Sequence, residues 1–544
     1  MKAIERVANI LKQEGVDHLF CFPASYLIEA AASIGIRTIM TRTERTALAM
    51  ADGYTRVNDG RRTGVCAVQY GPGIENSFAG MAQANQDGVP ILFMPGHLGR
   101  QRIGSIRNFH SVPSYTPITK WSEQINLPER VPEMMRRAFN CLRNGRPGPV
   151  MLEIPNDVAL AKVDKNIKYR RPQRIKSAGD SESVAAAIQN LLKAKCPVLH
   201  VGQGVLYARA TQELLEFAEL AGVPVMTSLL GKSAFPENHE LAIGAGAQTA
   251  TGALDHFRRK ADLVFGIGCS FSRDWMLIPL PSGKTIIQLT NDDRDLNADV
   301  EIDIGILGDA KLVLRQMIEE LNKQTGGQGR DGSKTIEEIR ALRKTWFEEW
   351  MPLLTSDEVP INPYRVIWDL MNTVDRAKTI VTHDSGYVRD QLVPFYETTV
   401  PRGYLGWGNS TQMGHSMGLA LGAKVGAPDK TVVNFTGDAS FGMLGLEIET
   451  AARNKIPILT IILNNSVMCG AEHWLPVATE RYGMKYLTGN YAKLAAALGA
   501  ASQRVEDPKE IVPSIQRAQE AMDKGQPALI EVITKEEQKV PKFW

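Results

Sequence analysis

One segment of this sequence leaves few folds open. An apolar run from Lys430 to Thr436 ends in Gly437-Asp-Ala-Ser-Phe441, which opens a helix-like stretch, and a second apolar run, Ile456 to Leu463, ends in Asn464-Asn465. Two short apolar runs around a helical stretch read as a strand–helix–strand crossover, the unit of parallel sheets covered on both faces. Each run ends in a side chain with a metal-capable oxygen, Asp438 and Asn465. One hard cation and a diphosphate fit between two such ends, because Mg²⁺ takes oxygen ligands and shares its shell with phosphates, and the helix start faces those phosphates. A plain strand-to-helix turn with an Asp cap uses the same residues, so the segment needs context.

The context lies near the other end of the chain. Gly437-Asp-Ala with the later Asn-Asn pair resembles the diphosphate-binding signature of thiamine-diphosphate (ThDP) enzymes, with Ala439 where that family has a third Gly. The resemblance implies that Asp438, the Asn465 side chain and the Val467 carbonyl hold Mg²⁺, with Gly437, Ala439, Ser440 and Met468 beside the cofactor. Thr41-Arg-Thr-Glu-Arg-Thr-Ala-Leu-Ala-Met-Ala-Asp-Gly-Tyr-Thr-Arg56 is similar to the family's segment with the cofactor-activating glutamate, which places that role on Glu44. Such a carboxylate hydrogen-bonds the aminopyrimidine and promotes proton removal from the thiazolium, so the cofactor brings the carbanion chemistry and the protein one acid. Asn409 to Gly422 resembles the stretch that keeps the cofactor bent, with Gln412 beside it and Met413 wedged between its rings. Val381 to Tyr387 is similar to the turn that meets the diphosphate, which makes Asp384, Ser385, Gly386 and Tyr387 cofactor neighbours.

Composition sets the frame. The 544 residues, 44% hydrophobic and 22% charged, suit about three soluble domains. With 62 basic and 60 acidic residues and no long single-sign run, charge offers no case for nucleic acid or an anionic membrane. Cys21, Cys66, Cys141, Cys196, Cys269 and Cys469 form no Cys-x-x-Cys pair, which reads as reduced thiols in the cytoplasm. The first twelve residues alternate charged and apolar positions at helical spacing, unlike a signal peptide. No apolar run reaches the roughly 18 residues that span a bilayer.

Alternating strand and helix patterns predict three consecutive α/β domains, each a doubly wound parallel sheet: 1–165 (pyrimidine-binding), 183–325 (central) and 356–544 (diphosphate-binding). The expected strands are His18–Phe22, Arg37–Met40, Gly64–Gln69, Ile91–Pro95 and Val150–Ile154 in the first block. Pro197–Val201, Val223–Thr227, Leu263–Ile267 and Thr285–Leu289 follow in the second. The third holds Thr379–Thr382, Thr431–Phe435, Ile458–Leu463 and Ala528–Val532. Asp164–Lys176 reads as a linker, and Asn322–Lys334 as a long exposed connection. Asp384, Asp438 and Asn465 all fall at carboxyl ends of strands, where such sheets bind ligands. The resemblance implies that Glu44 meets the Asp438 site across a subunit interface, which makes a homodimer the minimum unit and a homotetramer the expected assembly. Gly202-Gln-Gly204 and Gly231-Lys-Ser233 look like fragments of nucleotide motifs but lack the required glycines, and read as strand-end turns.

Within the family the pattern is nearest to acetolactate-synthase-like enzymes, on Gly145 to Pro155, Ala234-Phe-Pro236 and Trp474. The departures fall where substrates are chosen. The FAD-associated segment reads Ser270-Phe-Ser-Arg-Asp274, and Thr249-Ala250 replaces a His-Gly pair, which weighs against FAD. Asn156 stands for a Lys, and Gly470-Ala471 replaces a bulkier Met-Val, so the acceptor pocket is expected to be larger and less suited to a second pyruvate. Phe109-His-Ser111 stands for Phe-Gln-Glu, which brings a proton-shuttling side chain, His110, to the mouth of the site. Tyr26, Gln69 and His473 are further pocket candidates. Together these imply a lyase or carboligase (a decarboxylase or transferase in overall reaction) acting on a 2-oxo acid or 2-hydroxy carbonyl compound. The alternative is a 2-hydroxyacyl-CoA lyase whose central domain holds the ADP part of CoA, with Arg273 and Trp275 beside it; a cofactor-free homologue is a third reading that Glu44, Asp438 and Asn465 together oppose.

Overall fold

A computed structural model describes all residues except Asn166, Ile167, Trp275 and Cys469, and leaves the side chain of Glu472 undescribed. Two residues singled out above, Trp275 and Cys469, therefore lie outside the described part. Three parallel sheets follow one another along the chain. The first orders its strands Arg37–Met40, His18–Cys21, Val65–Ala67, Leu92–Phe93 and Val150–Pro155, with Gly96–His97 and Trp121–Gln124 both paired to the last of these. The second runs Ala242–Gly246, Val225–Ser228, Pro197–Val201, Leu263–Ile267, Thr285–Thr290, Ile304–Leu307. The third runs Tyr404–Leu405, Thr379–His383, Thr431–Gly437, Leu459–Asn464, Ala528–Ile533, Ala501–Val505. Every strand pairing within the sheets is parallel, as the crossover pattern requires.

Of the strands that sequence alone misses, Ala242–Gly246 and Ile304–Leu307 are apolar runs interrupted by glycine, and others are short or polar. Tyr404–Leu405 has two residues, Trp121–Gln124 is only partly buried, and Ala501–Val505 carries Ser, Gln and Arg. Asn322–Lys334 is not a long exposed connection. The helix Ala310–Thr325 continues through its first part and the helix Ser333–Leu354 begins before its end. Between them Arg330 donates its backbone N–H to the Leu220 carbonyl at 2.9 Å, which fastens the turn to the central domain. The second helix buries Trp346 and Trp350 against Tyr364 and Phe395 of the third domain. Among the described residues no helix is long and apolar enough to cross a membrane.

What positions the site is the crossing of two helices from the outer domains. Glu44–Val57 starts from Thr43, whose side chain accepts the Thr46 N–H, and its residues from Thr46 to Arg56 are buried. It packs on His415–Gly426, where Gly418, Gly422 and Gly426 recur every four residues on one face. A Cβ on Gly422 would lie 1.9 Å from the Met50 carbonyl oxygen, and one on Gly53 would lie 2.0 Å from that of Leu419. Only glycine permits backbones this close. One apolar core, with Phe20, Tyr54, Trp407, Leu419 and Ile462, therefore runs through both outer domains.

Candidate functional site

At the carboxyl ends of the third sheet a cavity of about 140 Å³ is lined by Ser385, Gly386, Tyr387, Met413, Gly437, Asp438, Ala439, Ser440, Asn465, Val467 and Met468, with Lys535 and Glu537. Asp438 begins the helix Asp438–Leu444 directly after a strand, and its neighbouring strand ends at Asn464. Asp438 accepts the N–H of Ala439 and that of Ser466, each at 2.9 Å. Burial still pushes its carboxyl up to about 6, because two amide donors do not replace the lost water. A buried carboxylate in that condition gains from a divalent cation. Asn465 takes the Val467 N–H on Oδ1 at 3.2 Å, and Asn464 braces the turn by donating to buried Glu531 at 2.7 Å. No group of three or more His, Cys, Asp or Glu that could hold a metal occurs among the described residues. A cation here would therefore draw on Asp438, amide and carbonyl oxygens, and a ligand's own oxygens. The cradle is open at Gly386, where a Cβ would meet nothing within 4 Å.

Two expected neighbours stand behind this wall. Asp384 is fully buried and spends its carboxylate on Ser385 N–H (2.7 Å), Gly414 N–H (3.0 Å), Ser416 N–H (3.2 Å) and Ser416 Oγ (2.6 Å). It shapes the loop instead of lining the cavity. Gln412 accepts from Arg45 Nε at 2.8 Å, and the Arg45 guanidinium also donates to the Met413 carbonyl.

Every described residue lining the cavity follows position 362 in the chain. Glu44 is elsewhere. It is 4% exposed, within 3.4 Å of Asn76 Nδ2, and the chain just before it is fixed by Glu447, which accepts the Arg42 and Thr43 N–H groups at 3.0 to 3.1 Å. Tyr26, Gln69, Phe109 and His110 also belong to the first domain and do not reach the cavity of their own chain. Tyr26 is 48% exposed, and His110 is exposed at the start of the short helix Ser111–Tyr115. Gly470 has φ +76°, and a Cβ there would touch Tyr387 at 3.7 Å, so it borders the cavity; Ala471 opens the short helix ending at Trp474, which is 84% exposed. His473 is exposed on the same helix.

Sequence reasoning missed Lys535, Glu537 and Arg45. Lys535 and Glu537 follow the strand Ala528–Ile533, so the rule that ligands gather at carboxyl strand ends would have found them. Lys535 is the one Lys or Arg among the described lining residues, and bonds Glu358 at 3.1 Å and Glu537 at 3.2 Å.

A second, larger cavity of about 1010 Å³ lies at the carboxyl ends of the central sheet. Gly202, Gln203, Gly204 and Gly268 line it as packed turns, together with Ser270, Phe271, Arg273 and Asp274 of the altered segment. A Cβ on Gly202 would fall 2.3 Å from the Gly268 carbonyl oxygen. In its wall His200 Nδ1, Gln203 Oε1 and the Tyr207 hydroxyl are buried without a protein hydrogen-bond partner. Lys232 of the other fragment is 1% exposed and paired to Glu237 at 2.6 Å, so it is spent inside the fold.

The chain is similar to known proteins along most of its length. The families described as "Thiamine pyrophosphate enzyme" match with their N-terminal TPP binding domain over residues 1–118, their central domain over 184–317 and their C-terminal TPP binding domain over 384–532. A "Probable acetolactate synthase large subunit" of Methanococcus aeolicus is 31% identical, covering 95% of this chain and 90% of the relative. The "Acetolactate synthase isozyme 3 large subunit" of Escherichia coli (strain K12) is 28% identical over 98% of this chain and 94% of its own. A "Glyoxylate carboligase" of Escherichia coli O157:H7 is 28% identical over 98% and 93%. With all three domains matched in order and a relative at 31% identity along nearly the whole chain, this protein belongs to the thiamine pyrophosphate enzyme family, as an acetolactate-synthase-like member.

Proposed function

We propose that the protein is a ThDP- and Mg²⁺-dependent carboligase or lyase acting on 2-oxo acids or 2-hydroxy carbonyl compounds. The observation that carries this is the cavity where Asp438, Asn465 and Val467 stand together with Met413 at the ends of the third sheet. The relatives named for acetolactate synthesis and glyoxylate carboligation support the reaction class. When bound, ThDP supplies a carbanion that adds to a carbonyl and takes up the electron pair of the bond that breaks.

The chain's own residues do the rest. Asp438, Asn465 and the Val467 carbonyl hold Mg²⁺ against the diphosphate, which lifts the burial cost now borne by Asp438. Met413 forms the apolar wedge. Glu44 hydrogen-bonds the aminopyrimidine, and His110 moves a proton on the substrate's oxygen. Glu44 and His110 lie away from the cavity of their own chain, so they serve a second subunit's cofactor in a homodimer, assembled further as a homotetramer. Exposed Met468 on the cavity wall, with exposed Trp474, Val477, Tyr482 and Tyr486 in the segment that follows it, supplies apolar surface for that contact.

One observation favours a second reading. The central cavity is large, and its buried His200, Gln203 and Tyr207 atoms without a protein partner leave a need for a polar group, a water or a ligand. The ADP moiety of CoA meets that need, and the protein would then be a 2-hydroxyacyl-CoA lyase. Incubation with ThDP, Mg²⁺ and a panel of 2-oxo acids, aldehydes and 2-hydroxyacyl-CoAs, followed by mass spectrometry, separates the two. Carbon dioxide with acyloin products establishes the first reading. Aldehyde or ketone released only from CoA thioesters establishes the second, and no turnover by protein that binds ThDP contradicts both.

A further inference from the structure

The peptide unit between Met413 and Gly414 is held at both ends by charged side chains from different domains. Its carbonyl, on Met413, accepts from the Arg45 guanidinium of the first domain. Its N–H, on Gly414, donates at 3.0 Å to Asp384 of the third domain. A peptide group is rigid and planar, so holding both of its polar ends fixes the torsions on either side. Gly414 is at φ +83°, a value open to glycine at no steric cost, which lets the chain turn into the helix His415–Gly426. The direction of the Met413 side chain into the cavity is thereby set. Arg45 is itself steered: Nε donates to Gln412 Oε1 at 2.8 Å, and its neighbour Glu44 begins the helix that crosses His415–Gly426.

We propose that Arg45 is a positioning residue that holds Met413 in its wedge orientation, so that affinity for the ring portion of ThDP depends on a first-domain side chain which never touches the diphosphate. The inference rests on the ThDP reading above and names a further determinant of the same site. Without Arg45 the Met413 carbonyl keeps no charged donor, the peptide unit is held only by Asp384, and the wedge is free to rotate. Asp438, Asn465 and Ser466 are untouched, so the phosphate end of the cavity keeps its geometry.

Calorimetric titration of the full chain with ThDP–Mg²⁺ and, separately, with inorganic pyrophosphate–Mg²⁺ tests this. Arg45→Ala is expected to weaken ThDP binding about tenfold or more, the scale of a lost charge-assisted hydrogen bond, and to leave pyrophosphate binding within about twofold of the unaltered protein. The near-ultraviolet circular dichroism induced by bound ThDP changes in parallel, and Arg45→Lys, which keeps one donor, recovers part of both. Should Arg45→Ala fail to fold, Gln412→Leu frees the guanidinium by removing its Nε partner and is expected to show the same split at smaller size. Equal losses for both ligands, or unchanged ThDP binding with an unchanged dichroism band, overturn the inference while the ThDP reading stands. Failure of the unaltered protein to bind ThDP overturns both.

Discussion

Ser466 donates its backbone N–H to Oδ2 of Asp438 at 2.9 Å, so the turn after one central strand is fastened to the carboxylate that follows its neighbour. Two motifs 28 residues apart thereby become one site. The bond compensates Asp438 only in part, since burial dominates and raises its pKa to about 6.

That shift has a sign. A carboxyl with a raised pKa in the folded state costs nothing while it is protonated in both states. The stability is lost as pH rises from the ordinary value of 3.8 through about 6, because the unfolded chain ionises more readily. The cofactor-free protein should lose roughly 2 to 3 kcal/mol across that window from this group. Asp438→Asn should remove this loss, and saturating ThDP with Mg²⁺ should offset it in the unaltered protein. Denaturation midpoints against pH check this; parallel curves for the two proteins would contradict it.

At the helix crossing, Gly422→Ala places a methyl 1.9 Å from the Met50 carbonyl oxygen. The helices must separate, and a loss of about 3 kcal/mol or more in unfolding free energy is expected. Gly442→Ala, where a Cβ meets nothing within 4 Å, is the control and should unfold close to the unaltered protein.

Lys535 is the lone Lys or Arg on the described cavity wall and stands between Glu358 and Glu537. Lys535→Ala leaves those carboxylates facing a diphosphate. ThDP affinity should fall about tenfold, with Lys535→Arg close to normal, as read by calorimetry. Equal affinities for all three proteins would remove Lys535 from the site.

His110 is exposed in the single chain, so His110→Ala should fold and melt normally. Its turnover on the preferred substrate should fall about 100-fold if it moves a proton there. Unchanged kcat would confine His110 to the surface.

How much of this was legible follows from where the information sits. Asp438, Asn465 and Glu44 stood out because each lies at a strand end or a helix start within a compact motif, and the strands with continuous apolar runs, such as Pro197–Val201 and Leu263–Ile267, match the structure residue for residue. Asp384 sits in an equally recognisable turn, yet the sequence could not tell that three of its four hydrogen bonds reach the loop at 414–416, the fourth staying with Ser385. Arg45 was hidden because its partners lie 367 and 368 residues away. The helix Ser333–Leu354 was masked by its charged start and the Gly-rich turn before it, although Trp346 and Trp350 anchor it.

The central claim is that Glu44 activates a ThDP held at Asp438. Exchange of the thiazolium C2 proton for deuterium, read by quenched-flow NMR, measures that step without a substrate. The unaltered protein with Mg²⁺ should speed exchange by at least about 100-fold over free ThDP, and Glu44→Gln should bind the cofactor yet lose most of that acceleration. Exchange at the rate of free ThDP in the unaltered protein, or equal rates in both proteins, would contradict the account.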